Sequence, residues 1–259
     1  FSGYGSLYGP QMVAGTEYIA GDADVTLMVQ LPDSFDVRQP CIVVGASGGS
    51  SGIYGAIATA GEWGLLHGCA VATTDKGTGT GLYTFDDDSV NLRDGRRATR
   101  TQAGEDVSFV PPLDTAARAD FAQRFPYRLA SKHAHSQQNP EAQWGGHVLR
   151  ALAFAFNVLD QRFPQARLLP SNTIVIATGS SNGGGAALRA VEADSSGWID
   201  GVVVAEPQVQ PAAPVVIRQG GRLASASARL LFDYSSFAAL YQPCAAGSAA
   251  TGARVTRNR

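Results

Sequence analysis

The chain has 259 residues, 44% of them hydrophobic and 16% charged, with 30 glycines and a net charge of −2. That length can bury one sizeable α/β core, and the near-neutral balance carries no footprint for nucleic acid. No apolar run reaches the roughly 18 to 20 residues of a helical membrane span, so no membrane span is expected.

Residues 1 to 22, rich in glycine and aromatics, read as loops and an edge hairpin. "DVTLMVQLPDSF" alternates apolar and polar residues before a Pro-Asp turn, which predicts a strand. "CIVVGAS" is the short continuous apolar run of a buried parallel strand. The alanine-rich stretch from Gly55 to His67 reads as a helix closed by Gly68, and "CAVATTDKGTGTG" as a strand entering a glycine/threonine loop. Residues 84–142 are polar and weakly patterned, a long loop excursion of the kind that insertions and active-site loops make. In "HVLRALAFAFNVLDQRF" apolar residues at 149, 152, 156, 159 and 163 step by three and four, which predicts a helix. "NTIVIATGSSNGGGAALRAVEAD" then reads as strand, tight turn and helix, "IDGVVVAEPQ" as one more strand, and "ARLLFDYSSFAALY" as a last helix. Strands alternating with helices imply a mostly parallel sheet covered by helices on both faces, in one domain over residues 1–259.

Three cysteines, Cys41, Cys69 and Cys244, are too few for a disulfide scaffold. Cys41 and Cys69 each open a strand-like run, so a bridge between neighbouring strands is open to them, but reduced core thiols are the expected state. No Cys/His spacing suggests zinc, and no metal is expected. The chain starts at Phe1 without methionine and without a signal-peptide pattern, so a leader has been removed or the chain is cut from something longer. A secreted or periplasmic location is favoured over the cytoplasm; oligomeric state is left open.

Two glycine-rich turns compete for the chemistry. "VVGASGGSSGIYG" follows an apolar strand, and Asp75 ends the next one, where an acidic residue could hold a ribose hydroxyl. The spacing is not G-x-G-x-x-G, and no tyrosine begins the Tyr-x-x-x-Lys pair of short-chain dehydrogenases. A nicotinamide-dependent oxidoreductase is therefore a distant alternative. The second turn, Gly179-Ser180-Ser181-Asn182-Gly183, is a G-x-S-x-G between a β-branched strand and an alanine-rich helix. A nucleophile elbow needs that context: the serine takes a strained backbone, and small residues two positions away on each side make room. Ser181 is thus the candidate nucleophile, Gly179 and Gly183 shape the elbow, and the backbone N–H of Asn182 is one oxyanion donor. The first turn then becomes the oxyanion loop, with Ala46 or Ser47 as the second backbone donor.

The blocks "GYGSLYGP", "VVGASGGSSGIYGAIATAGEWGLLHGCAVATTDKGTGTG", "HAHSQQNPEAQWG" and "IATGSSNGGGAALRAVE" resemble the D-(−)-3-hydroxybutyrate oligomer hydrolases. The resemblance implies an α/β-hydrolase-like serine esterase acting on the dimer and short oligomers of (R)-3-hydroxybutyrate in polyhydroxybutyrate degradation. It puts the nucleophile on Ser181 and implies a small-molecule ester substrate and no cofactor. Members of that family are much longer, so the chain reads as their N-terminal portion, C-terminally incomplete, with an unfamiliar tail after "YQPCAA".

A serine nucleophile needs a base, normally a histidine oriented by a carboxylate and lying after the serine on this fold. His67, His133, His135 and His147 all precede Ser181, so the simplest reading puts the base beyond residue 259, with His133 or His135 from the upstream loop as the substitute. His133 and His135 are candidate pocket residues. Glu206 and Asp75, at strand ends, are the candidate acid or pocket residues; Asp86 to Asp88 read as a solvated loop. The missing downstream histidine keeps a second reading open, a catalytically silent binding protein with the α/β-hydrolase fold.

Overall fold

The β-branched runs become strands of one sheet, and the two glycine-rich turns meet at one end of it. The structure, a computed structural model, describes residues 12–22, 25–49, 51–77, 79, 81–131, 140–209, 215–228 and 231–247. The chain divides into two compact units, Phe1–Gln208 and Val209–Arg259.

In the first unit the elements are β1 (Gly15–Asp22), β2 (Val25–Pro32), β3 (Cys41–Ala46), α1 (Glu62–Leu66), β4 (Ala70–Thr74), β5 (Leu82–Thr84), β6 (Ser89–Asn91), β7 (Arg97–Thr99), α2 (Arg100–Ala103), α3 (Thr115–Arg124), β8 (Leu129–Ser131), α4 (Trp144–Arg162), β9 (Ile174–Ser180), α5 (Asn182–Ala193) and β10 (Gly201–Ala205). The main sheet runs β1-β2-β4-β3-β9-β10. The β1–β2 hairpin is antiparallel and β2 pairs antiparallel with β4, while β4, β3, β9 and β10 are mutually parallel neighbours. This is the expected mixed α/β architecture with a mostly parallel sheet. The second unit holds an antiparallel pair, β11 (Val215–Gln219) and β12 (Arg222–Ala228), and α6 (Leu231–Gly247).

Alternation along β3 sends its side chains to opposite faces. Ile42, Val44 and Ala46 join α4 residues Val148, Leu152 and Leu159 and α5 residues Ala186 and Ala190 in the larger core. Val43 joins Ala60, Leu65 and Val71 on the other face. The helix expected over Gly55 to His67 is instead a 3-10 turn (Ile53–Ala56), a π turn (Ile57–Gly61) and α1. Packing explains one of its glycines: a Cβ on Gly64 would lie 2.7 Å from Val71 Cγ2, so glycine lets this segment approach the sheet closely.

The expectation of reduced thiols is corrected: Cys41 and Cys69 form a disulfide. Ile42 pairs with Ala70 in the parallel ladder, so the preceding residues, Cys41 and Cys69, face each other with Cα atoms 4.8 Å apart. The bridge spans a sequence separation of 28, worth about 3 to 4 kcal/mol in the chain-entropy account. Verified reduction should lower Tm by about 7 to 14 °C; an unchanged Tm in a thermal melt would contradict this.

The stretch read as a long loop carries an antiparallel sheet, order β7-β6-β5-β8, over a cluster of Tyr83, Phe85, Val90 and Ala103 with Phe121 packed against it. Its strands have three residues each, too few for alternation to register. Asp86 to Asp88 lie exposed in the turn before β6, as expected, and two of them also tie this substructure together. Asp86 accepts from Tyr127 N, and Asp88 accepts the Tyr83 hydroxyl and lies 3.9 Å from the buried Arg118 guanidinium.

Burial, and then the bond to Asp88, push the Tyr83 phenol up to about 12; burial and the bond to Glu17 do the same for Tyr54. Both groups are neutral in either state below an unfolded value of about 10. Raised folded values mean that stability is fully present below that pH and is lost as pH rises through about 12. Absorbance titration should show two late tyrosines whose ionisation coincides with loss of near-ultraviolet circular dichroism. Ionisation of all tyrosines near pH 10 without structural change would contradict it.

Candidate active site

β9 ends at Ser180 and α5 begins at Asn182, leaving one residue for the turn. Ser181 makes it with φ 53° and ψ −124°, a conformation that a non-glycine residue adopts only under strain, of order 1 to 3 kcal/mol. Neighbouring backbone holds it there: Ser181 N–H donates to Ala205 O, and Ser181 O accepts from Gly185 N and Gln208 N, at 3.0 to 3.1 Å. A serine before a helix ordinarily caps it with its hydroxyl. Ser181 makes no such bond, and the residue is exposed.

The two flanking glycines are required by contact. A Cβ on Gly179 would lie 2.3 Å from Gly183 O, and one on Gly183 would lie 2.4 Å from Ala46 O and 3.0 Å from Ser47 O. Those two contacts bring the elbow and the first glycine-rich turn together. Gly48 joins them, its Cβ position being 3.1 Å from Ser180 O. As the first residue of α5, Asn182 has an N–H without an intrahelical acceptor, at the positive end of the helix dipole.

The sequence named Ala46 and Ser47 as loop donors. Ala46 ends β3, paired with Thr74. Ser47 is buried, its N–H donates to Thr74 O at 3.2 Å and its Oγ to Gly49 O at 2.6 Å, so the Ser47 N–H is already committed. The N–H groups of Gly48 and Gly49 meet no acceptor among the described residues.

Glu206 follows β10 with φ 47°, a second strained residue beside the first, and is exposed. It directly follows Ala205, whose carbonyl accepts from Ser181 N, so it borders the elbow. Asp75 is a tie within the fold: it is buried, and Oδ1 accepts from Thr26 N at 3.1 Å and Gly77 N at 2.9 Å. His147 is buried in the first turn of α4. His67 caps the end of α1, its ring stacked on Trp63 and Nδ1 2.8 Å from Trp63 O. Neither bonds Ser181. His133 and His135 lie outside the described residues. Among the described residues no group of three or more His, Cys, Asp or Glu could hold a metal ion.

Lys76 belongs to this site through contacts alone. It is fully buried, with φ 60°, and its ammonium meets Ser47 O, Ser47 Oγ and Gly49 O in the turn facing the elbow. Nothing in "TTDKGTGTG" separates it from a solvated lysine.

A family model described as 3HB-oligomer hydrolase (3HBOH) matches residues 2–258. The chain belongs to the 3HB-oligomer hydrolase family. The match includes the tail that looked unfamiliar in the sequence. Similar proteins are the D-(−)-3-hydroxybutyrate oligomer hydrolases of Paracidovorax citrulli, 50% identical over 94% of this chain and 38% of the relative, and of Polaromonas sp. strain JS666, 48% identical over 94% of this chain and 39% of the relative. That of Ralstonia nicotianae is 48% identical over 98% of this chain and 39% of its own length. The chain thus spans about two fifths of the length of these members of the 3HB-oligomer hydrolase family.

Proposed function

We propose that this chain is the nucleophile-bearing part of a serine esterase that hydrolyses the dimer and short oligomers of (R)-3-hydroxybutyrate, in polyhydroxybutyrate degradation, through an acyl-enzyme on Ser181. One observation carries the reading: Ser181 is a strained, exposed residue alone between strand and helix, and its hydroxyl makes no cap bond to the helix. The sheet supports an α/β-hydrolase assignment, with an antiparallel hairpin first, an oxyanion loop after β3 and the elbow after β9. The relatives' names support the substrate class. A disulfide persists in oxidising surroundings, so the Cys41–Cys69 bridge supports a secreted or periplasmic protein.

In this mechanism Oγ of Ser181 attacks the ester carbonyl carbon and passes its proton to a general base. The tetrahedral oxyanion is held by the N–H of Asn182 and by an N–H of the loop, a role that falls to Gly48 because that of Ser47 is committed to Thr74. Collapse breaks the ester C–O bond, the base returns the proton to the leaving hydroxyl oxygen, and water then releases the acyl group. Glu206 is the carboxylate proposed to orient the base. The base itself belongs, in this reading, to the part of such a protein that follows residue 259.

The test is release of 3-hydroxybutyrate from the (R)-dimer by the chain and by a version extended to the length of its relatives. Turnover by the extended version supports the esterase. Inertness of both contradicts it and favours the silent binding protein.

A further inference from the structure

We infer that Lys76 is a positioning residue for the reaction, holding the loop Ser47–Gly49 so that its free N–H groups are set for the oxyanion; this rests on the esterase reading. The residue is fully buried, two positions after the last residue of β4. A buried ammonium is costly unless it is hydrogen-bonded. Among the described residues it reaches Ser47 O, Ser47 Oγ at 3.0 Å and Gly49 O at 2.8 Å. Its charge also lies 4.9 Å from the centre of the Trp144 ring, within cation–π range. The backbone is bent to deliver it: Lys76 has φ 60°, and its N–H donates to Thr74 Oγ1 at 3.1 Å. A straight-chain residue held in the left-handed region marks a position that its surroundings over-determine.

The consequence follows from the planar peptide. Ser47 C=O and Gly48 N–H belong to one trans peptide unit and point in opposite directions. Drawing Ser47 O toward the ammonium turns Gly48 N–H to the other side of the loop, where no described group accepts it. The loop is packed against the elbow, through Ser47 O at Gly183 and Gly48 at Ser180 O, so its orientation is passed directly to the site. A cation behind the carbonyl also polarises the peptide and strengthens its N–H as a donor. A free glycine-rich loop would have to be ordered at each turnover, whereas this one is ordered in advance.

The experiment measures kcat and KM for the (R)-dimer in the version extended to the length of its relatives, comparing Lys76→Met, Ser47→Ala and Ser181→Ala, with folding checked by Tm. Lys76→Met should lower kcat about 100-fold, the scale of losing one oxyanion donor, with KM unchanged within about threefold, as expected when a transition-state interaction alone is lost. Ser47→Ala removes only the hydroxyl contact and should lower kcat by a smaller factor, about three- to tenfold. A folded Lys76→Met protein with kcat within twofold of the unsubstituted enzyme, or one changed only in KM, overturns the inference. If Lys76→Met does not fold, unchanged kcat in Ser47→Ala overturns it instead. Full turnover by Ser181→Ala removes the esterase reading and this inference together. An inert Ser181→Ala beside a fully active Lys76→Met removes the inference alone.

Discussion

Substituting Ser181 by alanine abolishes turnover of the (R)-dimer, a loss of about six orders of magnitude in kcat, while the fold survives. The size of the effect follows from the absence of a second nucleophile at this turn. Ser180 stands in the β9–β10 ladder opposite Ala205, one residue before the strained position. The substitution Ser181→Gly separates chemistry from architecture. Glycine takes φ 53° without penalty, so it should raise stability by about 1 kcal/mol or more and Tm by about 2 to 4 °C, while being as inactive as alanine. A residue whose removal stabilises the protein and ends its activity is retained for function. Turnover within tenfold of the unsubstituted enzyme in either variant contradicts the assignment; a fall in Tm for Ser181→Gly contradicts the strain argument.

The second large effect comes from Gly183. An added Cβ would meet Ala46 O at 2.4 Å and Ser47 O at 3.0 Å. Both are main-chain atoms anchored in the sheet and its loop, so neither can rotate away as a flexible side chain would. The helix start and the oxyanion loop must separate, at a cost of about 1 to 3 kcal/mol for overpacking. Displacement on the scale of 1 Å at such a site costs about 100-fold in rate. Gly183→Ala should therefore lose stability and activity together, and Gly179→Ala should do the same through Gly183 O at 2.3 Å. Gly201→Ala is the control, since a Cβ there meets nothing within 4 Å, and it should be near neutral in a thermal melt and in kcat. Equal behaviour of Gly183→Ala and Gly201→Ala would show that the close approach is not real.

The legible parts of the chain were those with long or repeated signals. β3, β9, α4 and α5 follow continuous β-branched runs or three-and-four spacing, and the turn at Gly179 to Gly183 is bracketed by such elements. β2 was legible as a strand from its alternation of apolar and polar residues, but its full burial was not. All eight of its residues are buried, including Gln30, whose amide donates to Glu17 at 2.9 Å. The small sheet at 82–131 escaped because its pairing is between strands of three residues each. The disulfide escaped because strand adjacency, which brings Cys41 to Cys69, is a property of the ladder and leaves no local mark.

Around the elbow, the turn was legible and hydrogen-bond allocation was not. The strand, the one-residue turn at Ser181 and the helix follow from pattern alone. That Ser47 N–H is occupied by Thr74 O, and that Lys76 folds inward under the loop, depends on contacts between residues 27 and 29 positions apart in sequence.

Covalent labelling tests whether Ser181 is the nucleophile. The extended protein is treated with a fluorophosphonate, and the adduct is located by peptide mass spectrometry. One adduct is expected, on the peptide containing Ser181, retained in Ser180→Ala and absent from Ser181→Ala. An adduct on any other residue, or none from a protein that turns over the dimer, would contradict it.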